Sequence, residues 1–562
     1  MLLKNIISIL DRRDRLFFGY LLALSIIISM IEFIGVSAII PFISIITDNT
    51  IIERNKFLHY FYTFFNFESY MQFIIIFGFL LVLYFLFRGL FNLFYYYMVA
   101  RFSFGRYHKL SNKLFMQYIF APYKKFLHLD SSAIYRAIIN ETISASQVMV
   151  SIMNILSESL VILLLYLLLI YVNFKATIVI TVFFILLFFI IFLFITKKME
   201  AVSSDKSQSL KKAYEILTNF FYNFKFIKLI SAEKIFLNNF DGQLDKVTKA
   251  YIKNHTISNT PRLFLETIGF SIIIFFFMYI LFYNNASLSY AITFISIYIL
   301  ALYRMLPSFN RILSNYNNIL FNYKSVEIVH DELNNAIETV GNKSVSLKKF
   351  IRTENLTFYY NKDKYILHNV NVVINKGAKI GIIGRSGSGK STFLDLLMAF
   401  LEPVQGKIFI DNIELNHDIT SSWRNLIGYI PQNIFLFNDT IEQNIIFGRK
   451  IDKEQLFKVL KQAHIEYLLD TSTSVGKKIG EGGGLLSSGE RQRIAIARAL
   501  YGNPDILIMD EATNSLDIEV ENEIMNDLFN ECADKTIIIV SHRLNTVEHC
   551  NRIFKLVDGN LL

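Results

Sequence analysis

Six stretches long and apolar enough to cross a bilayer fill this 562-residue chain as far as Leu306. They run over Leu16–Ile46, Gln72–Ala100, Val148–Tyr171, Ala176–Thr196, Leu263–Tyr283 and Ser289–Leu306. Each meets or approaches the roughly 20 residues that a hydrocarbon core demands. Lipid offers backbone groups no hydrogen bonds, so this part of the chain is expected to be a bundle of helices. Hydrophobic residues make up 53% of the chain and mean hydropathy is +0.40; polytopic membrane proteins reach such values and ordinary soluble ones rarely do. Polarity rises near Val345, so the expected organisation is a membrane domain over 1–320, a linker over 321–346 and a soluble domain over 347–562.

The formal charge of +9 does not point to nucleic acid, because lysines and arginines gather in loops rather than on one aromatic-lined stripe. The stretch 101–147 carries Arg101, Arg106, Lys109, Lys113, Lys124, Lys125 and Arg136, and 197–261 is similarly basic. Both loops are expected in the cytosol, with both chain termini and the soluble domain on the same side. Both cysteines, Cys532 and Cys550, fall in the soluble part, as in a reducing compartment. The N-terminus lacks a signal-peptide pattern; residues 2–10 read as an amphipathic elbow before the first span. On the outer side Phe57–Phe65 is too aromatic for a solvated loop and too short to span, and reads as an interfacial helix. Its aromatic residues suit either an ordinary interfacial belt or the holding of a lipid tail.

The soluble part opens its chemistry with Gly384-Arg385-Ser386-Gly387-Ser388-Gly389-Lys390-Ser391-Thr392, preceded by the apolar run Lys379–Ile383. Glycines let successive N–H groups turn onto phosphates, Lys390 reaches the outer ones, and the Ser391 hydroxyl can ligate magnesium. ATP and Mg2+ are the expected cofactors. Tyr360, with Tyr359 as its rival, could stack on adenine or serve as a core aromatic. Gln432 offers an amide oxygen for the metal or the attacking water. Asp510 ends the apolar run Ile506–Met509, the expected place for a magnesium partner. Glu511 follows as the expected base. His542, at the end of another apolar run, can donate to the γ-phosphate; a purely structural histidine is the alternative.

Leu486-Ser487-Ser488-Gly489-Glu490, followed by Arg491–Leu500, resembles the signature of the ATP-binding cassette (ABC) family. The resemblance covers the whole chain and implies a type-I ABC exporter arrangement: a polytopic α-helical domain of six spans, then an α/β nucleotide-binding domain. It implies that Ser487, Ser488, Gly489 and Glu490 of one copy close over ATP on the phosphate loop of another, with Asp517 at the junction. A homodimer is then the minimum unit, and Ser131–Glu141 and Asn219–Leu229 would couple cassettes to spans. The family usually has glycine at Ser488 and glutamine at Glu490. A positive φ at Ser488 would cost on the order of 1–2 kcal/mol, and Glu490 adds negative charge near nucleotide.

Charge inside a membrane needs a reason. Arg88, Arg262 and Arg304 all fall towards the cytosolic leaflet. They could snorkel to lipid phosphates, Arg262 beside Glu266, or form a ring receiving an anionic head group such as a pyrophosphate. Glu32 and Glu158 read as interhelical hydrogen-bond partners. Within the family, Arg101–His108, Asn223–Leu229, Ala301–Arg311 and Gly428–Asp439 resemble the PglK/Wzk group of lipid-linked oligosaccharide flippases. That likeness implies an undecaprenyl-pyrophosphate-linked oligosaccharide as cargo, moved outward across the bacterial inner membrane for protein N-glycosylation or O-antigen assembly. The alternatives are an exporter of lipid A or another amphipathic molecule, and an ATP-gated protein that transports nothing.

Overall fold

The computed structural model describes every residue except 1–5, 7, 10, 48–50, 128–129, 173, 284–287, 339–340, 342, 361–363, 469–477, 513–517 and 549. Most of the expected N-terminal elbow, and Asp517, lie outside the described residues. The chain divides into two units, Met1–Ala121 with His128–Ala336 and Pro122–Leu127 with Ile337–Leu562.

The first unit is helical. It comprises α1 (Arg12–Thr47), the short α2 (Ile51–Arg54) and α3 (Lys56–Phe64), and α4 (Tyr70–Ile119), which is capped by the Ser69 hydroxyl. The segment Tyr123–Phe126 (α5) belongs to the second unit. Next, α6 (Ser131–Arg136) passes through a π-helical turn at Ala137–Glu141 into α7 (Thr142–Val172). The unit ends with α8 (Phe174–Tyr222), α9 (Phe224–Leu229), α10 (Glu233–Tyr283), α11 (Leu288–Phe321) and α12 (Tyr323–Leu333).

Among the described residues, Arg12–Ile46, Tyr70–Ile119 and Ser131–Tyr171 are long and apolar enough to cross a membrane. The other three expected spans lie within α8, α10 and α11. Only 6% of the most apolar window of Tyr70–Ile119 is buried within the chain, so those side chains need lipid or another helix beside them. At 1.5 Å per residue α4, α8 and α10 are each about 75 Å long, well over twice a hydrocarbon core.

The expected external helix forms as α3. Leu58 packs with Ile45, Ile52 and Phe73, while Tyr60, Phe61, Phe64 and Phe65 stay exposed. Beneath it, α1, α3 and α4 enclose an apolar cleft of about 880 Å3 lined by Phe33, Pro41, Phe61, Phe73 and Phe77 among others.

Ser131–Glu141 lies in the first unit, where the Arg136 side chain is 9% exposed and bonds Glu141 at 3.3 Å and the Ser207 carbonyl at 2.9 Å. A buried guanidinium needs such partners, and supplying them ties this segment to α8. The loop piece that packs in the second unit is α5, whose Tyr123 ring sits 5.1 Å from that of Phe400.

The second unit holds two sheets. β1 (Phe350–Phe358), β2 (Leu367–Asn375), β4 (Gln405–Ile410) and β5 (Ile413–Glu414) form an antiparallel sheet in the order β2-β1-β4-β5. The second sheet has the order β10-β9-β3-β8-β7-β6, built from β3 (Lys379–Gly384), β6 (Ile427–Ile430), β7 (Ile506–Asp510), β8 (Thr536–Val540), β9 (Arg552–Val557) and β10 (Asn560–Leu561). β7 and β8 are buried at every residue, which is why they read as unbroken apolar runs. Parallel pairing sets Ile430 opposite Met509, Asp510 opposite Val540 and Ile382 opposite Val540. The carboxyl ends of β6, β7, β8 and β3 therefore share one edge, where ligands of open α/β sheets bind. α13 (Lys390–Leu397) starts from that edge.

Candidate functional site

In the second unit the phosphate loop, Gln432, Asp510, Glu511 and His542 each follow or end one of those four strands, whereas Tyr360 follows β1 and the signature residues open a helix. The phosphate loop leaves β3 at Gly384 and enters α13 through Gly389, whose φ of +104° only glycine adopts at low cost. A Cβ there would lie 2.9 Å from the Ile366 carbonyl, and one on Gly384 would lie 2.6 Å from that of Leu556. Lys390 folds over the loop and donates to the carbonyls of Gly384 and Arg385 at 2.9 and 3.0 Å. Burial holds its ammonium below the usual lysine range, against the opposing pull of Glu511 and Asp510. The Ser388 hydroxyl is buried with no hydrogen-bond partner, the state expected of a group awaiting an acceptor such as a phosphate oxygen. Arg385, Ser386 and Gly387 are exposed at the loop's tip.

Asp510 ends β7, and the Ser391 hydroxyl bonds its carboxylate. Burial raises the Asp510 carboxyl above its usual range and Glu511 adds to this, while Ser391 and Lys390 oppose it. A hydroxyl and a carboxylate side by side are hard oxygen ligands, the donor set that magnesium takes.

Glu511 is held from both sides. Gln432 Nε2 donates to its Oε2 at 2.6 Å, and His542 Nε2 lies 2.6 Å from its Oε1. Its φ of +50° is uncommon for a residue with a side chain, and strain of this kind gathers at functional sites.

Tyr360 packs edge-on against Phe358 and sets its hydroxyl 3.5 Å from Thr392 Oγ1, on the helix that follows the phosphate loop. Its rival Tyr359 packs instead against Tyr365. Of the two, Tyr360 is the one that reaches the loop's helix.

The signature residues form the start of α17. With α14 (Thr420–Asn425), α15 (Ile441–Ile446) and α16 (Lys453–Gln462) before it, α17 covers Ser488–Tyr501. Ser487 caps this helix, and Ser488 is helical rather than in the positive-φ region, so the conditional strain cost at Ser488 does not arise. Glu490 completes a capping box: its Oε2 accepts from the Ser487 backbone at 2.7 Å and from the Ser487 hydroxyl at 2.8 Å. Burial pushes its carboxyl up, but the bonds from Ser487 and Tyr467 and the charge of Arg493 outweigh that and leave it lowered.

Asp395 and Tyr429 were not foreseen. Burial, with Asp510 nearby, pushes the Asp395 carboxyl up to about 6. Tyr429 is raised by burial and by the charges of Asp510 and Asp395. The available signal was a single carboxylate set in the apolar run Phe393-Leu394-Asp395-Leu396-Leu397.

In the membrane unit two of the three candidate arginines converge. Arg88 Nη2 and Arg304 Nε reach the same oxygen, Glu32 Oε2, at 2.6 and 2.7 Å. Arg262 stands apart from this pair: it is exposed and bonded to Glu266 at 2.7 Å, one turn along its own helix. A carboxylate at i+4 thus satisfies the Arg262 guanidinium locally, while Arg88 and Arg304 share Glu32. Glu158 pairs with Arg311 at 2.6 Å, so both carboxylates are interhelical partners, as expected.

Comparison with known proteins agrees with this architecture. Residues 16–305 match the family model for the ABC transporter transmembrane region, and residues 367–514 match the ABC transporter model. An ATP-dependent lipid A-core flippase of Pseudoalteromonas translucida is 39% identical over 240 residues, 42% of this chain and 41% of that protein. The α-hemolysin translocation ATP-binding protein HlyB of Escherichia coli O157:H7 is 41% identical over 241 residues, 42% of this chain and 34% of that protein. The chain thus matches less than half the length of these curated relatives. A solved bacterial Atm1-family ABC exporter with ATP bound superposes with a TM-score of 0.77 over 98% of this chain and 94% of its own, at 21% identity. With more than half its length matched by one family model, this chain belongs to the ABC transporter family and has the type-I exporter fold.

Proposed function

We propose that two copies of this chain form an ATP-driven flippase that moves an undecaprenyl-pyrophosphate-linked oligosaccharide from the cytosolic to the outer leaflet of a bacterial inner membrane. The observation that carries the cargo reading is the convergence of Arg88 and Arg304 on one point, with two positive charges against the single charge of Glu32. Guanidinium groups bind phosphate bidentately. The apolar cleft under α3 offers a separate place for a polyprenyl tail, continuing the lipid-holding reading of that helix.

The loop 384–392 would cradle the phosphates of ATP, with Tyr360 against the base and Ser391, Asp510 and Gln432 around magnesium. When bound, the metal neutralises phosphate charge and orients the transferring group. Glu511, fixed by Gln432 and His542, would take up a proton from the attacking water. Lys390 offsets charge on the outer phosphates. Ser487, Ser488, Gly489 and Glu490 of the partner copy would close the site, together with Asp517.

A second reading, an exporter of lipid A, is favoured by the identity to lipid A-core flippases and by the phosphates that lipid carries. Stimulation of ATPase activity in reconstituted membranes separates the two. The oligosaccharide pyrophosphate lipid should stimulate at a lower concentration than lipid A, and the reverse order would favour the second reading.

A further inference from the structure

The Glu32 cluster is built more elaborately than an interhelical tie needs. Glu32 on α1, Arg88 on α4 and Arg304 on α11 lie about 23, 27 and 24 Å from the helix ends at Thr47, Tyr70 and Leu288, counted at 1.5 Å per residue. They therefore share one depth. Asn92 donates to Glu32 Oε1 at 3.1 Å, and the Glu32 side chain is 4% exposed against 26% for Arg88 and 15% for Arg304. A structural ion pair in a membrane is expected to be neutral, because uncompensated charge is costly there. This cluster keeps an excess positive charge, and the Arg88 Nε is buried with no hydrogen-bond partner. A surplus charge on two guanidiniums that are more exposed than the carboxylate they hold, with one buried donor left unpaired, suits a site that exchanges anions.

We propose that Glu32 is the built-in counter-ion of Arg88 and Arg304, and that an anionic head group binds by displacing its carboxylate. Glu32 then acts as a specificity-determining residue. A bare pair of arginines would be saturated by the abundant singly charged phospholipids of the leaflet. With Glu32 in place, an entering anion must satisfy both guanidiniums at once, and a pyrophosphate diester can place one phosphate on each. This rests on the cargo reading above and adds to it a threshold for entry.

The test uses the full-length protein in vesicles, with the oligosaccharide pyrophosphate lipid as probe and phosphatidylglycerol as the singly charged competitor. In wild type, adding phosphatidylglycerol should leave the half-stimulating probe concentration nearly unchanged. Glu32→Gln should lower that concentration about tenfold without the competitor, equivalent to about 1.4 kcal/mol, and should make it rise when competitor is added. Glu32→Asp, one methylene shorter, should shift the same way by less, and it carries the test if Glu32→Gln fails to fold. An unchanged or raised half-stimulating concentration in a folded variant overturns the counter-ion role while leaving the cargo reading intact. If only lipid A stimulates wild type, the cargo reading fails and the same shifts are expected with lipid A as probe. Stimulation of wild type by neither lipid overturns both.

Discussion

Replacing Glu511 by Gln removes a carboxylate clamped between Gln432 and His542. Glu511 accepts from Gln432 at 2.6 Å and faces His542 at 2.6 Å, so an isosteric amide keeps the shape of the site. It can still accept one hydrogen bond but must turn its amide NH2 towards the other donor. The loss is therefore chiefly that of a base. General-base contributions run to about 10²–10⁴-fold, or about 3–5 kcal/mol of barrier at 1.36 kcal/mol per decade. Phosphate release from ATP in the purified, reconstituted protein should fall by that factor. ATP binding, measured by fluorescent-nucleotide displacement, should change less than about threefold, since Lys390 and the loop are untouched. Turnover within threefold of wild type would refute the assignment, and equal loss of binding and turnover would show Glu511 to be structural.

Four further outcomes are expected. Gly389→Ala, at a φ of +104° with 2.9 Å to the Ile366 carbonyl, should lose nucleotide binding and destabilise the protein by about 1–3 kcal/mol, read by displacement assay and thermal melting. Asp395 has a folded pKa raised to about 6, so ionising it weakens the fold as pH climbs from about 4 through 6. Asp395→Asn should remove that slope and gain about 1–2 kcal/mol at pH 7.5, after allowance for its partial exposure; a melting-versus-pH series with wild-type slope would refute it. Glu490→Gln should cost about 0.5–1 kcal/mol by weakening the charged capping box, seen as a small drop in Tm. The double change Arg88→Ala with Arg304→Ala should abolish stimulation by a pyrophosphate lipid while Arg262→Ala reduces it at most slightly; equal effects would refute the pairing.

Much of this arrangement was legible in the chain itself. The six apolar runs each fall in one of the six longest helices of the first unit, because span length is set by lipid, an external ruler. The edge carrying Gln432, Asp510, Glu511 and His542 could be read because buried parallel strands are apolar throughout and functional polar residues follow their ends. Side-chain partnership was less legible. The three arginines looked equivalent by depth, yet Arg262 finds Glu266 on its own helix while Arg88 and Arg304 find Glu32 on a third. That choice depends on helix rotation, which periodicity leaves open in a run that is apolar all round. The strain considered at Ser488 did not arise, because the signature begins a helix there. Tyr123 was likewise unreadable, since its contact with Phe400 joins residues far apart in the chain.

The most direct test of the central claim is a vesicle assay that scores head-group orientation. The purified protein is reconstituted with a lipid-linked oligosaccharide, and the fraction of glycan open to an added glycan-modifying enzyme is followed with and without ATP. The account predicts ATP-dependent movement of the head group to the opposite leaflet, absent in Glu511→Gln and in the Arg88→Ala, Arg304→Ala double variant. Full ATP hydrolysis with no change in orientation would contradict it.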